Sequence, residues 1–276
     1  MPAFKSANAY YRFARKVKTA SRYTRDHEDL DFLTTLLAQA ETDRKVTLNK
    51  GRILWRAQLG FNWEPYWDGE KYNSDVMIEG PFPGERMKPL RDQAREGRAN
   101  PQGLPCLYLS NRKETALTEV RPWLHSLISI AQFRTTRELV VVDMSSDDRP
   151  QRSRDFSIPP EERDKAVWYS VDQAFRKPVT VEGDVPSEYA PTQVIAEFFK
   201  VHGFDGIAYQ SAFQDEKGNG HNVALFDLDA AELINCGLEE VTVVNFSFKQ
   251  AANPYYVRAA TEPVSAETRS EEKDAT

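Results

Sequence analysis

Residues 192–226 read TQVIAEFFKVHGFDGIAYQSAFQDEKGNGHNVALF, and this stretch decides the fold class. Val194, Ile195, Phe198 and Phe199 recur at helical spacing and predict a helix over 192–201. Gly203 stands where a helix ends in the left-handed conformation. The apolar run 206–209 predicts a strand immediately afterwards. Residues 213–220 predict a loop, with Gly218-Asn219-Gly220 as a hairpin turn, and 222–226 predict a second strand. A helix followed by a hairpin is not the regular alternation of a doubly wound sheet.

The flanking sequence repeats that irregular mixture. Leu139-Val140-Val141-Val142 is apolar on both faces, as an interior strand requires. Further strands are predicted over 127–133 and 107–110, and a helix over 164–176. Asn111 and Glu114 resemble a capping box that opens a helix running to Val120 and stopped by Pro122. Ile53, Trp55 and Ala57 alternate with Leu54, Arg56 and Gln58, which predicts a strand. Residues 60–105, rich in Gly, Pro, Trp and Tyr without a period, predict loops wrapped on a scaffold. Residues 145–160 predict a polar surface excursion, and 241–248 alternate like a last strand.

Two helices are predicted before the first strand. One carries Phe4, Tyr10, Tyr11, Phe13, Ala14 and Val17; the other carries Leu30, Leu33 and Leu37 on one face with Leu36 at its edge. Asp26 to Asp31 places acids at the start of the second, where a helix dipole favours them. The expected organisation is a helical N-terminal extension over 1–47, a catalytic domain over 48–258 and a disordered polar tail over 259–276. No internal repeat is visible, and the class is α+β.

Composition narrows the function. The chain has 276 residues with 40% hydrophobic and 28% charged side chains, which excludes a fully disordered chain. A chain of this length buries about three quarters of its unfolded surface and needs no disulfide or metal to fold. No apolar run approaches the roughly 18–20 residues of a membrane span. Two cysteines, Cys106 and Cys236, point to a reducing, cytoplasmic setting. The net charge of −6 argues against direct nucleic-acid binding. Residues 1–25 hold seven basic side chains and no acid, which reads as a basic surface helix.

Familiar site signatures are missing. There is no CxxC, HExxH, Walker loop or Gly-x-Ser-x-Gly, and the four histidines do not sit at metal-ligand spacings. What remains are polar residues at the edges of apolar elements. Arg56 lies inside a strand, where a guanidinium costs desolvation unless paired. It is suited either to a structural carboxylate or to a ligand phosphate or carboxylate. Arg98 lies in the loop Gly97-Arg98-Ala99-Asn100, Glu119 on a short helix, and Ser211 where the chain leaves a strand.

In combination these segments resemble the RES family, named for its Arg, Glu and Ser. The resemblance covers about residues 50–235. It is carried by Leu54-Trp55-Arg56-Ala57, Gly97-Arg98-Ala99-Asn100, Leu107-Tyr108-Leu109-Ser110, Thr115-Ala116-Leu117-Thr118-Glu119-Val120, Pro191-Thr192-Gln193-Val194-Ile195-Ala196-Glu197, the run from Gly203 to Ser211, and Asn222-Val223-Ala224-Leu225-Phe226. RES proteins resemble ADP-ribosyltransferases in fold, and several are bacterial toxins that destroy NAD under the control of a helix-turn-helix antitoxin.

The resemblance implies a mixed or antiparallel split sheet with flanking helices, like that of ADP-ribosyltransferases, and a nucleotide cleft. It implies Glu119, Arg56 and Ser211 as catalytic residues. Arg56, Arg98, Tyr108, Ser211 and Asn222 would contact NAD, the substrate, without a metal. A carboxylate such as Glu119 suits the cationic, oxocarbenium-like state of nicotinamide–ribose cleavage. Water or inorganic phosphate is the expected acceptor. Two readings compete: ADP-ribose transfer to a macromolecule, and a catalytically silent NAD-binding regulatory domain. The expected partners are NAD and an antitoxin, with no membrane.

Overall fold

The computed structural model describes residues 2–250 apart from 68, 92, 146–148, 152, 154–156, 178–187 and 214–219. The expected turn at Gly218-Asn219-Gly220, part of the 145–160 excursion and the 259–276 tail lie outside the described residues. Residues up to 242 form one compact unit; the described part of the second, 243–250, has no regular element and contains a stacked Phe246–Phe248 pair.

In chain order the elements are helices α1 (Ala9–Thr19) and α2 (His27–Asp43), then strands β1 (Lys45–Leu48), β2 (Ile53–Leu59), β3 (Asn62–Trp67), β4 (Tyr72–Gly80) and β5 (Leu107–Ser110). Helix α3 (Lys113–Glu119), strands β6 (Leu127–Thr135) and β7 (Leu139–Asp143), and helices α4 (Arg163–Arg176) and α5 (Ala190–Val201) follow. Strands β8 (Gly206–Gln210), β9 (His221–Leu225) and β10 (Ala231–Glu240) complete the series. Eight strands form one sheet in the order β1-β7-β8-β9-β5-β2-β6-β10, and β3-β4 pair separately. Every pairing between these strands is antiparallel except β7–β8, whose connection carries α4 and α5. The fold is α+β with a mixed sheet, as expected.

The two faces of the sheet bury different cores. On β7, Val142 packs with Phe13, Phe32, Leu36, Val171, Phe175, Ile195 and Phe199 of the helical layer. Its neighbour Val141 packs on the other side with Leu54, Phe82, Met87, Leu109, Phe133 and Val223. This is the two-residue alternation of a strand covered on both faces. The interior position expected for 139–142 is therefore occupied, between β1 and β8.

The N-terminal helices belong to the same core as α4 and α5. Gln39 ties them down: its amide donates to the Pro2 carbonyl and its carbonyl accepts from Trp168 Nε1 at 2.7 Å. Asp26 caps α2 by accepting from the Asp29 N–H. The basic segment meets the acidic start of α2, with Lys16 Nζ 2.8 Å from Asp26 and 2.6 Å from Glu28.

Several local expectations need correction. Tyr11 and Leu30 are exposed; Phe32, Leu33, Leu36 and Ala40 form the buried face of α2, because the α2 stripe is rotated toward α5 and the sheet. Residues 45–48 are a sheet strand rather than the end of a helix. The 60–105 segment contains the β3–β4 ribbon, whose aromatic and polar residues lack an alternating pattern because both faces are largely exposed. Asn111 does not cap α3. Its Oδ1 accepts from the His221 N–H, and its own N–H donates to the His221 carbonyl, so it prolongs the β5–β9 ladder. The last strand is β10, and 241–248 form none.

Gly203 has a φ of +87° and closes α5 as expected. Asp205 then aligns the parallel pair: its Oδ2 accepts from the Val140 N–H at 2.7 Å, its own N–H donates to the Val140 carbonyl, and Arg137 pairs with its Oδ1. Replacing Asp205 by Ala leaves the Val140 N–H without its acceptor. The expected cost is about 1–3 kcal/mol, a fall in thermal midpoint of roughly 2–12 °C by calorimetry.

Candidate active site

Strands β2 and β5 are joined through a single residue pair, Trp55 opposite Ser110. Away from that pair they separate, and the sheet is split. Trp55 and Arg56 alternate to opposite faces of β2, yet both line one cleft of about 240 Å³ at the split. The expected split sheet is present here.

The cleft is floored by a row of residues from four strands. Trp55 of β2 is opposite Ser110 of β5, Ser110 is opposite Asn222 of β9, and Asn222 is opposite Tyr209 of β8. All four line the cleft. They come from distant parts of the chain, so only strand register reveals them as neighbours. Trp55, Ser110 and Tyr209 were absent from the sequence-derived site for this reason. In the sequence each is simply one residue of an apolar strand.

Arg56 sits at the opening. Its Nη1 donates to the Tyr108 carbonyl at 3.0 Å, an acceptor on β5 facing the split. Its Nε is buried and makes no hydrogen bond among the described residues. No carboxylate pairs with it among those residues either, so the structural-carboxylate alternative for Arg56 is not realised. Burial lowers its pKa from the ordinary arginine value, but a guanidinium remains charged in proteins. A buried cation without a counter-charge is costly unless an anion enters.

Arg98 faces the same cleft. Its loop is held by a polar clamp. Tyr108 Oη accepts from the Ala99 N–H at 2.8 Å and donates to Asn100 Oδ1 at 2.7 Å. The Gln193 amide donates to the carbonyls of Gly97 and Asn100, each at 3.0 Å. The Arg98 Nε is likewise buried without a hydrogen bond among the described residues. Its guanidinium lies against the buried Tyr209 hydroxyl, whose pKa burial raises. Tyr108 thus serves the site twice: its carbonyl holds Arg56 and its hydroxyl builds the Arg98 loop.

Glu119 ends α3 and enters the cleft from the side. Its Oε1 accepts from Ser211 Oγ and from Asn222 Nδ2, both at 2.6 Å. Asn222 is oriented in turn by Ser110 Oγ, which donates to its Oδ1 at 2.6 Å. Ser211 also accepts from the Phe213 N–H. A carboxylate at a helix C-terminus meets the unfavourable end of the dipole, and these two donors offset it. Oε2 accepts no hydrogen bond among the described residues. Of the expected site residues, Arg56, Arg98, Tyr108, Glu119 and Asn222 meet in the cleft. Ser211 stands behind Glu119, buried, with its hydroxyl committed to the carboxylate.

Among the described residues, no group of three or more His, Cys, Asp or Glu side chains could hold a metal ion. None of their helices is long and apolar enough to cross a membrane. Cys106 is buried, donates its thiol to the Leu225 carbonyl, and has its pKa pushed up to about 12 by burial. It is an unreactive core thiol.

The family described as the RES domain matches residues 53–245. No curated protein matches the sequence. A solved structure, that of the M.tuberculosis MbcT-MbcA toxin-antitoxin complex, contains a chain of 14% identity, with 75% of this chain and 92% of that one covered at a TM-score of 0.37.

The Arg98 loop has no room for a larger residue at its first position. A Cβ on Gly97 would stand 2.5 Å from Tyr108 Oη and 3.0 Å from Asn100 Oδ1. Gly97→Ala is expected to open the clamp and displace Arg98. Anion affinity, read by titration with ADP, should fall by about tenfold or more, the value of one charged hydrogen bond. Unaltered affinity would mean that the clamp does not position Arg98.

Proposed function

The chain belongs to the RES domain family, and from that premise we propose that it is an NAD-degrading enzyme that cleaves the nicotinamide–ribose bond. The observation that carries the reading is the pairing of unmet charges in one cleft. Arg56 and Arg98 have no carboxylate partner among the described residues, and Glu119 has one oxygen fixed and the other unoccupied by any of them.

These charges suit an NAD molecule whose pyrophosphate lies against the two guanidinium groups. The nicotinamide ribose then lies toward Glu119. The bond between ribose C1′ and the pyridinium nitrogen breaks, and its electron pair leaves with the nitrogen. Nicotinamide departs neutral while positive charge develops on the ribose ring. The Glu119 carboxylate stabilises that charge and holds a ribose hydroxyl. Capture by water gives ADP-ribose and a proton (a glycohydrolase); capture by inorganic phosphate gives a phosphorylated ADP-ribose (a phosphorylase).

Ser211 and Asn222 act as positioning residues in this scheme. Their donors keep Oε1 turned inward and leave Oε2 for substrate. The proposed catalytic unit spans 48–258; the extension proposed over 1–47 is helical only as far as Asp43 and ends in strand β1. An enzyme that empties an NAD pool in the cytoplasm requires restraint. The proposed role is therefore the toxin of a bacterial toxin–antitoxin pair, held inactive by an antitoxin protein of the helix-turn-helix type.

The decisive assay is incubation of the purified protein with NAD, with and without phosphate, and identification of products by mass. Release of nicotinamide is expected; intact NAD under both conditions would overturn the reading. Glu119→Gln keeps the shape and removes the charge. Turnover should fall by about 10²–10³, as for loss of one charge-stabilising group, with NAD affinity changed much less. Arg56→Ala should chiefly raise the Kd for NAD, by about tenfold or more, measured by calorimetry. Wild-type affinity in that variant would remove Arg56 from phosphate recognition.

A further inference from the structure

A second cavity, a groove of about 780 Å³, adjoins the cleft and shares Arg56 and Tyr108 with it as walls. The cleft alone falls below the roughly 300–1,000 Å³ of typical ligand sites; the groove lies within that range. A ligand centred on Arg56 therefore has space on both sides of that residue. The Glu119 side holds the reacting ribose, and the groove is left for whatever lies beyond the phosphates.

One wall of the groove has an unusual construction. The Arg86 guanidinium lies 3.5 Å from the centre of the Phe82 ring. Phe82 is buried and Arg86 is exposed and lines the groove. The ring therefore backs the guanidinium, and Arg86 also lines the groove. Arg86 belongs to a short 3₁₀ turn, Gly84–Met87, that is pinned twice. The Gln58 amide donates to the Arg86 carbonyl at 2.7 Å, and Met87 is fully buried. No carboxylate pairs with Arg86 among the described residues, although Glu85 and Glu96 also line the groove. A guanidinium seated over an aromatic ring offers a stacking surface, and nucleobases stack on guanidinium planes.

The geometry points to a subsite for the adenosine half of the dinucleotide, in which the purine stacks on the Arg86 guanidinium. This assignment rests on the reading of the cleft as an NAD-cleaving site. It makes Arg86 a residue that selects dinucleotides over nicotinamide mononucleotide, which lacks the adenosine half.

The test titrates ADP and nicotinamide mononucleotide separately into wild type, Arg86→Ala and Arg86→Lys, and compares kcat/KM for NAD and for the mononucleotide. Arg86→Ala should weaken ADP binding about tenfold, the scale of one base stack. Arg86→Lys, which keeps the charge and loses the plane, should weaken it nearly as much. The ratio of kcat/KM for NAD over that for the mononucleotide should fall by about the same factor. Equal ADP affinity in all three proteins overturns the subsite. So does full affinity in Arg86→Lys, or equal loss for both ligands, which would mark Arg86 as a support of the fold. A wild type that binds ADP through Arg86 but leaves NAD intact would sink the cleavage reading while the subsite stands. Cleavage of NAD with ADP affinity indifferent to Arg86 would do the reverse.

Discussion

The hydrogen bond from Arg56 to the Tyr108 carbonyl stands where the sheet stops being continuous. Two neighbouring strands normally satisfy each other's peptide groups, and separating them exposes groups that cost free energy when buried unmet. Here one guanidinium satisfies a β5 acceptor where β2 and β5 have parted beyond their single pairing. The same side chain brings a positive charge into the gap. The opening and its positive charge thus meet at one side chain. A neutral donor at this position could meet the same carbonyl but would bring no charge. No carboxylate among the described residues pairs with Arg56, which leaves that charge for a ligand.

Across the opening, the sheet itself supplies the order that a short helix cannot. Helix α3 is only seven residues long and presents Glu119 from its last turn. The carboxylate is fixed instead by Ser211 and by the Ser110–Asn222 relay on the strand row. These strands are packed on both faces, so the donors have little freedom. Rigid strands thereby place a charge that its own helix would hold loosely, which is the preorganisation that electrostatic catalysis needs. The Arg98 loop follows the same design: a tyrosine on β5 and a glutamine on α5 fix an otherwise irregular turn.

Most of this architecture was legible where a local pattern has one physical meaning. The stripe of α5, the stop at Gly203 and the two-faced run of β7 follow from side-chain period and glycine conformation. Arg56, Arg98 and Glu119 stand in the sequence as charges set beside apolar elements, and the family resemblance joins them. Register was not legible. Trp55, Ser110, Asn222 and Tyr209 become one row only once four strands are aligned, and no window of sequence contains that alignment. The β3–β4 ribbon was missed because a strand exposed on both faces has no hydrophobic alternation. Asn111 misled because the side chain that can cap a helix can equally extend a ladder.

The strand order also sets a schedule for the growing chain. The row that floors the cleft takes residues from β2, β5, β8 and β9, so its last member, Asn222, leaves the ribosome long after its first. Strand β1 likewise waits for β7 before its edge is paired. Long-range strand pairing is slow to form, and a nascent chain must hold its early strands unpaired until the late ones arrive. A chain that ends between α3 and β9 carries both arginines and Glu119 but lacks Asn222, which completes the row. Glu119 in such a chain is without the Asn222 donor that holds its Oε1, so the geometry of the cleft is set only when the last of its strands has been made.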